Sequence, residues 1–414
     1  MKIFHPAVIF GLIVMLVLSQ GGFVHAIPDI ANLGSASDKI PNQYIVVLKD
    51  GAQVQQVVNE AKNKGAAILH VYEKTINGFA LAVPNQQVLA AIQKDSRVAY
   101  VEQDQIVQAF AQTLPTGINR VDADLSTTAA IAGRGNNIDV DIAIIDTGIS
   151  TSHPDLYVYK DVTFVKGTRS GNDDNGHGSH VAGTAAAKDN LDGVVGIAPG
   201  ARLWAVKVLD RNGSGSMSDV IKGIDYVTNN ANQIDVANMS LGCECTSSAL
   251  NTAIHNSVLA GVTYVVAAGN NAKNAFTFSP ANHPDVIAVS AIADSNGKCG
   301  AAGSSTSYGA DDSFATFSNF GSVVDMAAPG VGILSTYKGT GYATLSGTSM
   351  ASPHVAGAAA LYKTIHPTAS PSDVLSVLTS SGSTPATTCD GNGKGYFSGD
   401  PDGIAEPLLY TKDF

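Results

Sequence analysis

The sequence predicts an α/β fold: a doubly wound parallel sheet with helices on both faces, preceded by a small α+β unit. Three observations carry this expectation. Beyond about residue 111, near-continuously apolar runs of strand length alternate with helical patterns, as parallel strands buried on both faces do. Ahead of them, strand and helix patterns follow the order β-α-β-β-α-β within a stretch of fewer than 70 residues. The composition can fill a large core, since 44% of the 414 residues are hydrophobic and only 14% are charged. A chain of this length is expected to hold two or three domains.

The chain opens on Lys2 and an apolar run over residues 7–18, followed by Val24-His25-Ala26, a small-residue cleavage pattern. About 12 apolar residues are too few to span a bilayer. Residues 1–26 are therefore read as a cleaved signal peptide, and the mature protein as secreted and not membrane-anchored. Residues 27–41, polar and proline-containing, form a linker. In the unit at 42–110, strands are expected at 44–48, 68–72, 79–83 and 98–101, with Asn77-Gly78 as the turn of the central hairpin. Helices fall at 54–64, ended by Gly65, and from Asn85 to about residue 94. This is a ferredoxin-like pattern, small enough to be marginal alone.

In the domain at 111–414, strands are expected at 141–145, 202–209, 236–241, 262–268 and 286–292. Helices fall between and after them at 177–188, 219–230, 248–260, 349–365 and 371–378. Ser370, Pro371 and Asp373 form the start signal of the last. A net charge of −11 argues against a nucleic-acid partner and against a basic membrane-binding patch. Cys243, Cys245, Cys299 and Cys389 would face an oxidising compartment, and all three possible pairings stay open. The loop Cys243-Glu244-Cys245 is too short to argue for a bridge by itself. A monomer is the default expectation.

Candidate chemistry gathers at the strand ends, where open α/β sheets bind their ligands. The run Ile142-Ala143-Ile144-Ile145 leads straight into Asp146-Thr147-Gly148. Asn175-Gly176-His177-Gly178-Ser179-His180 puts His177 at the start of a helix of small residues. His180 is read as structural, since no glutamate stands at the spacing of a zinc-protease helix. Val265-Val266-Ala267-Ala268-Gly269-Asn270 delivers an amide side chain at another strand end. Gly347-Thr348-Ser349-Met350-Ala351-Ser352-Pro353-His354 reads as a turn feeding a buried helix, with the Ser349 hydroxyl beside free N–H donors. Taken singly, each residue has an ordinary reading as a cap or turn. Jointly they are the minimum set for acyl transfer. Ser349 would attack, His177 would take its proton, Asp146 would orient the imidazole, and Asn270 with the Ser349 N–H would receive the oxyanion. The competing readings are a metal-dependent hydrolase on Asp146, His177 and His180, and a binding protein that keeps the fold without activity.

The segments around Asp146, His177 and Ser349 resemble the three signatures of subtilisin-like serine proteases, in the chain order Asp, His, Ser. The resemblance implies a subtilisin-like fold and a secreted serine endopeptidase made as a self-processing precursor. The unit at 42–110 would be an inhibitory propeptide, cut from the enzyme between Phe110 and Ala111. Its partners would be protein and peptide substrates and that propeptide. An extended substrate would lie between Ser240-Leu241-Gly242 and Ala267-Ala268-Gly269, with Gly213-Ser214-Gly215 further along the cleft. Small residues with Phe278 nearby imply apolar or aromatic groups before the scissile bond. No acidic residue stands out there to demand Lys or Arg, and broad specificity is expected. The resemblance also implies structural calcium, held by Gln112, Asp155 and Asn190 with carbonyls of the 188–194 loop, including Lys188, Asp192 and Val194. Asp173-Asp174 is read as merely solvated.

Overall fold

The computed structural model describes residues 39–72, 74–105, 112–133, 135 and 137–414. The expected leader at 1–26, the linker as far as residue 38 and the junction Phe110-Ala111 lie outside the described residues. The chain separates into two compact units, divided between residues 107 and 108.

In the first unit, β1 (Lys39–Leu48), α1 (Val54–Asn63), β2 (Ala67–Tyr72), β3 (Gly78–Ala82), α2 (Gln86–Gln93) and β4 (Val98–Gln105) follow one another. Their antiparallel sheet has the order β2-β3-β1-β4, the ferredoxin-like arrangement that the element sequence predicts. Asn85 caps α2, its Oδ1 accepting from Val88 N at 3.1 Å. The core is one small cluster in which Val46, Val57, Val58, Phe79, Leu81 and Ile92 are the chief members. That is little apolar volume for independent stability.

The second unit continues with α3 (Thr116–Arg120), β5 (Asp141–Asp146), β6 (Val158–Thr163), α4 (His177–Ala186), β7 (Arg202–Lys207), α5 (Met217–Asn229) and β8 (Val236–Met239). Next come β9 (Cys243–Glu244), α6 (Ser248–Leu259), β10 (Thr263–Ala267), β11 (Phe278–Ser279), β12 (Ile287–Ala293), β13 (Ser313–Phe314) and β14 (Met326–Pro329). A hairpin of β15 (Ile333–Thr336) and β16 (Tyr342–Leu345) precedes α7 (Thr348–Ile365) and α8 (Pro371–Ser381). The main sheet runs β13-β12-β10-β8-β5-β7-β6, with β14 also paired to β12, and only β13 is antiparallel. The five strands read from the sequence form its interior. Edge strand β6 escaped that reading because Val-Tyr-Lys-Asp-Val-Thr is too polar to look buried.

Side-chain alternation along β5 divides the core into two layers. Ile142 and Ile144 face the layer that holds α4 and α7, whereas Ala143 and Ile145 join the layer of α5 and α6. Helix α7 is buried over most of its length, and its small residues let it approach α4 closely. A Cβ on Gly357 would stand 2.5 Å from Ile197 Cβ and 2.9 Å from the Ala185 carbonyl oxygen. Ser370 closes a capping box with Asp373 at the start of α8, as its sequence signature predicts.

The cysteines pair as Cys243–Cys245 and Cys299–Cys389. The second bridge ties the C-terminal segment to the loop after β12. Beyond α8 that segment returns to the sheet, where Leu408 bridges both Ala327 and Ser383 and Leu409 and Phe414 enter the main core. Strand order reverses at β5, with β7 and β6 on one side and β8, β10 and β12 on the other. A crevice therefore opens at the carboxyl ends of β5 and β8.

Candidate active site

Asp146 is the last residue of β5 and is fully buried. Its Oδ1 accepts from His177 Nδ1 at 2.8 Å and from Thr147 N at 2.7 Å. An ionised carboxylate can only accept, so the proton of that imidazole sits on Nδ1 and leaves Nε2 as a base. His177 opens α4 and keeps 28% of its side chain exposed. Burial works against its charged form. The charge and hydrogen bond of Asp146, with the charge of Asp173 behind them, outweigh burial and hold its pKa above the ordinary histidine value.

Asp173 corrects the sequence reading. It is only 4% exposed and gathers the loop ahead of α4. Its Oδ1 accepts from Thr147 Oγ1, Asn175 N and Gly176 N, and its Oδ2 from the N–H and hydroxyl of Ser179. Thr147 Oγ1 in turn accepts from Gly178 N at 2.9 Å. Asp174 is also more than solvated. It pairs at 2.7 Å with the buried Lys207, whose ammonium also donates to the carbonyls of Thr147 and Leu209. These bonds fix the two strand ends against the His177 helix. An Asp-Asp-Asn-Gly run looks like any surface turn, so composition carried no signal of it. His180 is fully buried, with Nε2 against the carbonyls of Ile333 and Ala343, and burial lowers its pKa to about 4. It therefore stays neutral and faces away from the cleft chemistry.

Ser349 is the second residue of α7. Pro353 has no N–H, which leaves the carbonyl four residues earlier without its helical partner. That carbonyl belongs to Ser349, and it accepts from Ser240 Oγ at 2.9 Å. Asn238 donates to Ser240 Oγ and accepts from Ser352 Oγ, so a buried polar chain ties the helix start to the end of β8. Asn238, which also heads a glycosylation-type Asn-Met-Ser triplet, is wholly buried. The Ser349 hydroxyl itself donates to the Ser240 carbonyl at 3.3 Å. Asn270 has its Oδ1 occupied by Thr348, from N at 2.8 Å and from Oγ1 at 2.9 Å. Its Nδ2 is thereby turned away from Thr348 and left to donate into the cleft.

His177, Asn270 and Ser349 line one cleft of about 740 Å³. Gly213, Ser214 and Gly215 line it, as do Ser240, Leu241 and Gly242, and Ala267, Ala268 and Gly269. Phe278 is in its wall. So is Glu244, an acidic residue where the sequence suggested none.

A second cluster lies around Asp155, 1% exposed. Its Oδ2 accepts from Val194 N at 2.9 Å and its Oδ1 from Asn190 Nδ2 at 3.1 Å. Gln112 Nε2 reaches the carbonyls of Lys188 at 2.6 Å and Val194 at 3.2 Å. Gly193 adopts φ +56°, and a Cβ there would stand 2.5 Å from Asp155 Oδ2, so the loop closes tightly over the carboxylate. Asp192 stays at the surface and caps its own turn, accepting from Gly193 N at 2.9 Å. No ion pair of Asp155 is found among the described residues. Burial pushes its carboxyl up to about 6 despite the hydrogen bonds from Val194, Asn190 and Tyr342. Among the described residues, no three His, Cys, Asp or Glu side chains gather as a metal site. Any cation held here would rely on main-chain and amide oxygens beside one carboxylate.

The model of the subtilase family matches residues 137–395, and that of the peptidase inhibitor I9 family matches residues 43–110. The alkaline protease of Alkalihalobacillus alcalophilus is 38% identical over 349 residues, covering 81% of this chain and 85% of its own length. Subtilisin E of Bacillus subtilis (strain 168) is 38% identical over 356 residues, covering 84% and 86%. A crystal structure of a cold adapted subtilisin-like serine proteinase superposes with a TM-score of 0.57 at 35% identity, covering 68% of this chain and 91% of its own. With an Asp-His pair and a helix-start serine joined on such a sheet, the chain belongs to the subtilase family of serine endopeptidases and is made as a precursor with an I9-type propeptide.

Proposed function

We propose that Ser349 is the nucleophile, His177 its general base and Asp146 the carboxylate that orients the imidazole. The carrying observation is the single cleft in which a Nδ1-protonated His177, a helix-start Ser349 and an Asn270 amide with its oxygen already engaged all converge. The Ser349 hydroxyl swings from the Ser240 carbonyl to His177 Nε2 and attacks the scissile carbonyl as its proton passes to that nitrogen. Asn270 Nδ2 and the Ser349 N–H, which a helix start leaves unpaired, receive the oxyanion. The imidazolium then protonates the departing amine, and water releases the acyl group by the reverse sequence.

An extended peptide adds between the 240–242 and 267–269 segments, where main-chain bonds supply affinity. The I9 match, which ends at residue 110, supports self-cleavage at Phe110-Ala111. The leader pattern at 1–26 supports export, and no helix among the described residues is long and apolar enough to cross a membrane. Calcium suits the Asp155 cluster. A buried carboxylate with no ion pair among the described residues, beside the carbonyls of Lys188 and Val194, offers the hard oxygens that this ion takes. The amides of Gln112 and Asn190, whose nitrogens face those oxygens, would turn their own oxygens inward to join the set. Bound there, it would compensate the buried charge and tie the loop to the N-terminal segment.

Mass spectrometry after treatment with a fluorophosphonate tests the assignment. One label on Ser349 and a mature N-terminus near Ala111 are expected. A label elsewhere, or none, would refute it.

A further inference from the structure

Glu244 is the feature of the cleft that its sequence concealed. Strands β9 and β11 pair antiparallel, with Glu244 opposite Phe278 and Cys243 opposite Ser279. Directly opposed residues of such a pair share one face. The Glu244 side chain therefore leaves its strand on the side of the Phe278 ring, and both line the cleft. The backbone that presents it is held from two directions. The Cys243–Cys245 bridge closes a ring around Glu244, and the Cys245 carbonyl accepts from Ser279 Oγ at 2.9 Å. Lys273, three residues beyond Asn270, meets the carboxylate at 2.8 and 3.0 Å. The two side chains are 52% and 50% exposed. An ion pair so open to water has little net worth, and a second cation can displace the first.

We propose that Glu244 is a specificity-determining carboxylate of the primary pocket, allowing the cleft to take a lysine or arginine before the scissile bond, with Lys273 as its internal competitor. The proposal rests on the reading of this cleft as the substrate site. The stem of an incoming lysine lies along Phe278 and the small residues of the wall while its ammonium reaches the rim. There it replaces Lys273 on the carboxylate. When the incoming side chain is apolar, Lys273 stays in place, so no bare charge is left beside it. The pocket thus serves both chemistries, and the Lys273 pair sets their ratio.

The test uses the mature enzyme and two peptides identical except for Lys or Phe before the scissile bond. The readout is the Lys/Phe ratio of kcat/KM within each variant, which cancels any general loss of activity. Lys273→Met should raise the ratio about two- to fivefold, the scale of one exposed charge pair. Glu244→Gln should lower it by a similar factor. The double variant should match Glu244→Gln, because Lys273 acts only through that carboxylate. Salt near 1 M, where charges are screened within about 3 Å, should shrink all three differences. A ratio unmoved by either single change, or one that rises in Glu244→Gln, overturns the proposal while leaving the cleft assignment standing. Failure of the unaltered enzyme to cut either peptide overturns both.

Discussion

Asp146 and Asp155 are two buried aspartates on the same stretch of chain, and they solve the same physical problem in opposite ways. Asp146 faces an imidazole at 2.8 Å, so its charge has a partner that can become cationic. Among the described residues Asp155 meets only neutral donors, and burial lifts its carboxyl to about 6. A carboxylate kept out of water needs a compensating charge or must take up a proton. The first aspartate meets an imidazole that can carry that charge, His177, the general base proposed above. The second has no cationic partner among the described residues and, on the reading above, draws that charge from calcium.

The largest predicted effect cuts the Asp146 side at its far end. Ser349→Ala should lower turnover by about 10⁶-fold, the scale known for triad removal in subtilisins, and should leave the purified precursor uncut at Phe110-Ala111. Normal processing of that variant in a protease-free preparation would count against self-cleavage. Next, Asn270→Ala should slow kcat by about 10²–10³-fold with little change in KM. Unchanged kcat would remove Asn270 as an oxyanion donor.

On the Asp155 side the expected effect is on stability. Chelation should lower Tm by about 4 °C, corresponding to about 2.7 kcal/mol for a site held at a hundred times its dissociation constant. Asp155→Asn should be blind to the chelator. Equal shifts in both proteins would place calcium elsewhere.

The smallest effects are in pH dependence, where the two aspartates should part most clearly. The raised pKa of His177 means that its protonated form is favoured in the fold. Its contribution to stability is complete below the unfolded pKa and is lost as pH rises through the folded one, whereas activity follows the reverse course. The acidic limb of kcat/KM should therefore lie above the ordinary histidine range. Asp155, raised from 3.8 to about 6, favours its neutral form when no cation is bound. In chelator, its contribution is present below pH 4 and is lost as pH rises through about 6. Calcium should invert that sign, because the ion requires the carboxylate ionised. The difference in Tm between the unaltered protein and Asp155→Asn, followed from pH 4 to 7, isolates this group. A difference with the same slope in calcium and in chelator would break the contrast.

The sequence by itself determined much of the architecture. The apolar runs of β5, β7, β8, β10 and β12 specify a buried parallel sheet because strands covered on both faces must be apolar along their whole length. Asp146, His177, Asn270 and Ser349 could be singled out because each ends such a strand or starts a helix, where functional groups of this fold must stand. Local pattern also gave the helix start at Asn85 and the Ser370 cap. It could not give Asp173, Asp174 and Lys207, because polar residues in a turn look alike whether water or the protein satisfies them. Nor could it give the Ser352-Asn238-Ser240 chain, whose members come from two elements more than 100 residues apart. Glu244 entered the cleft through the β9–β11 pairing, and Asp155 lost its water through closure of the 188–194 loop. Which polar groups are buried, and which charges meet a partner, depends on contacts distant in the chain, and only the tertiary structure supplies those.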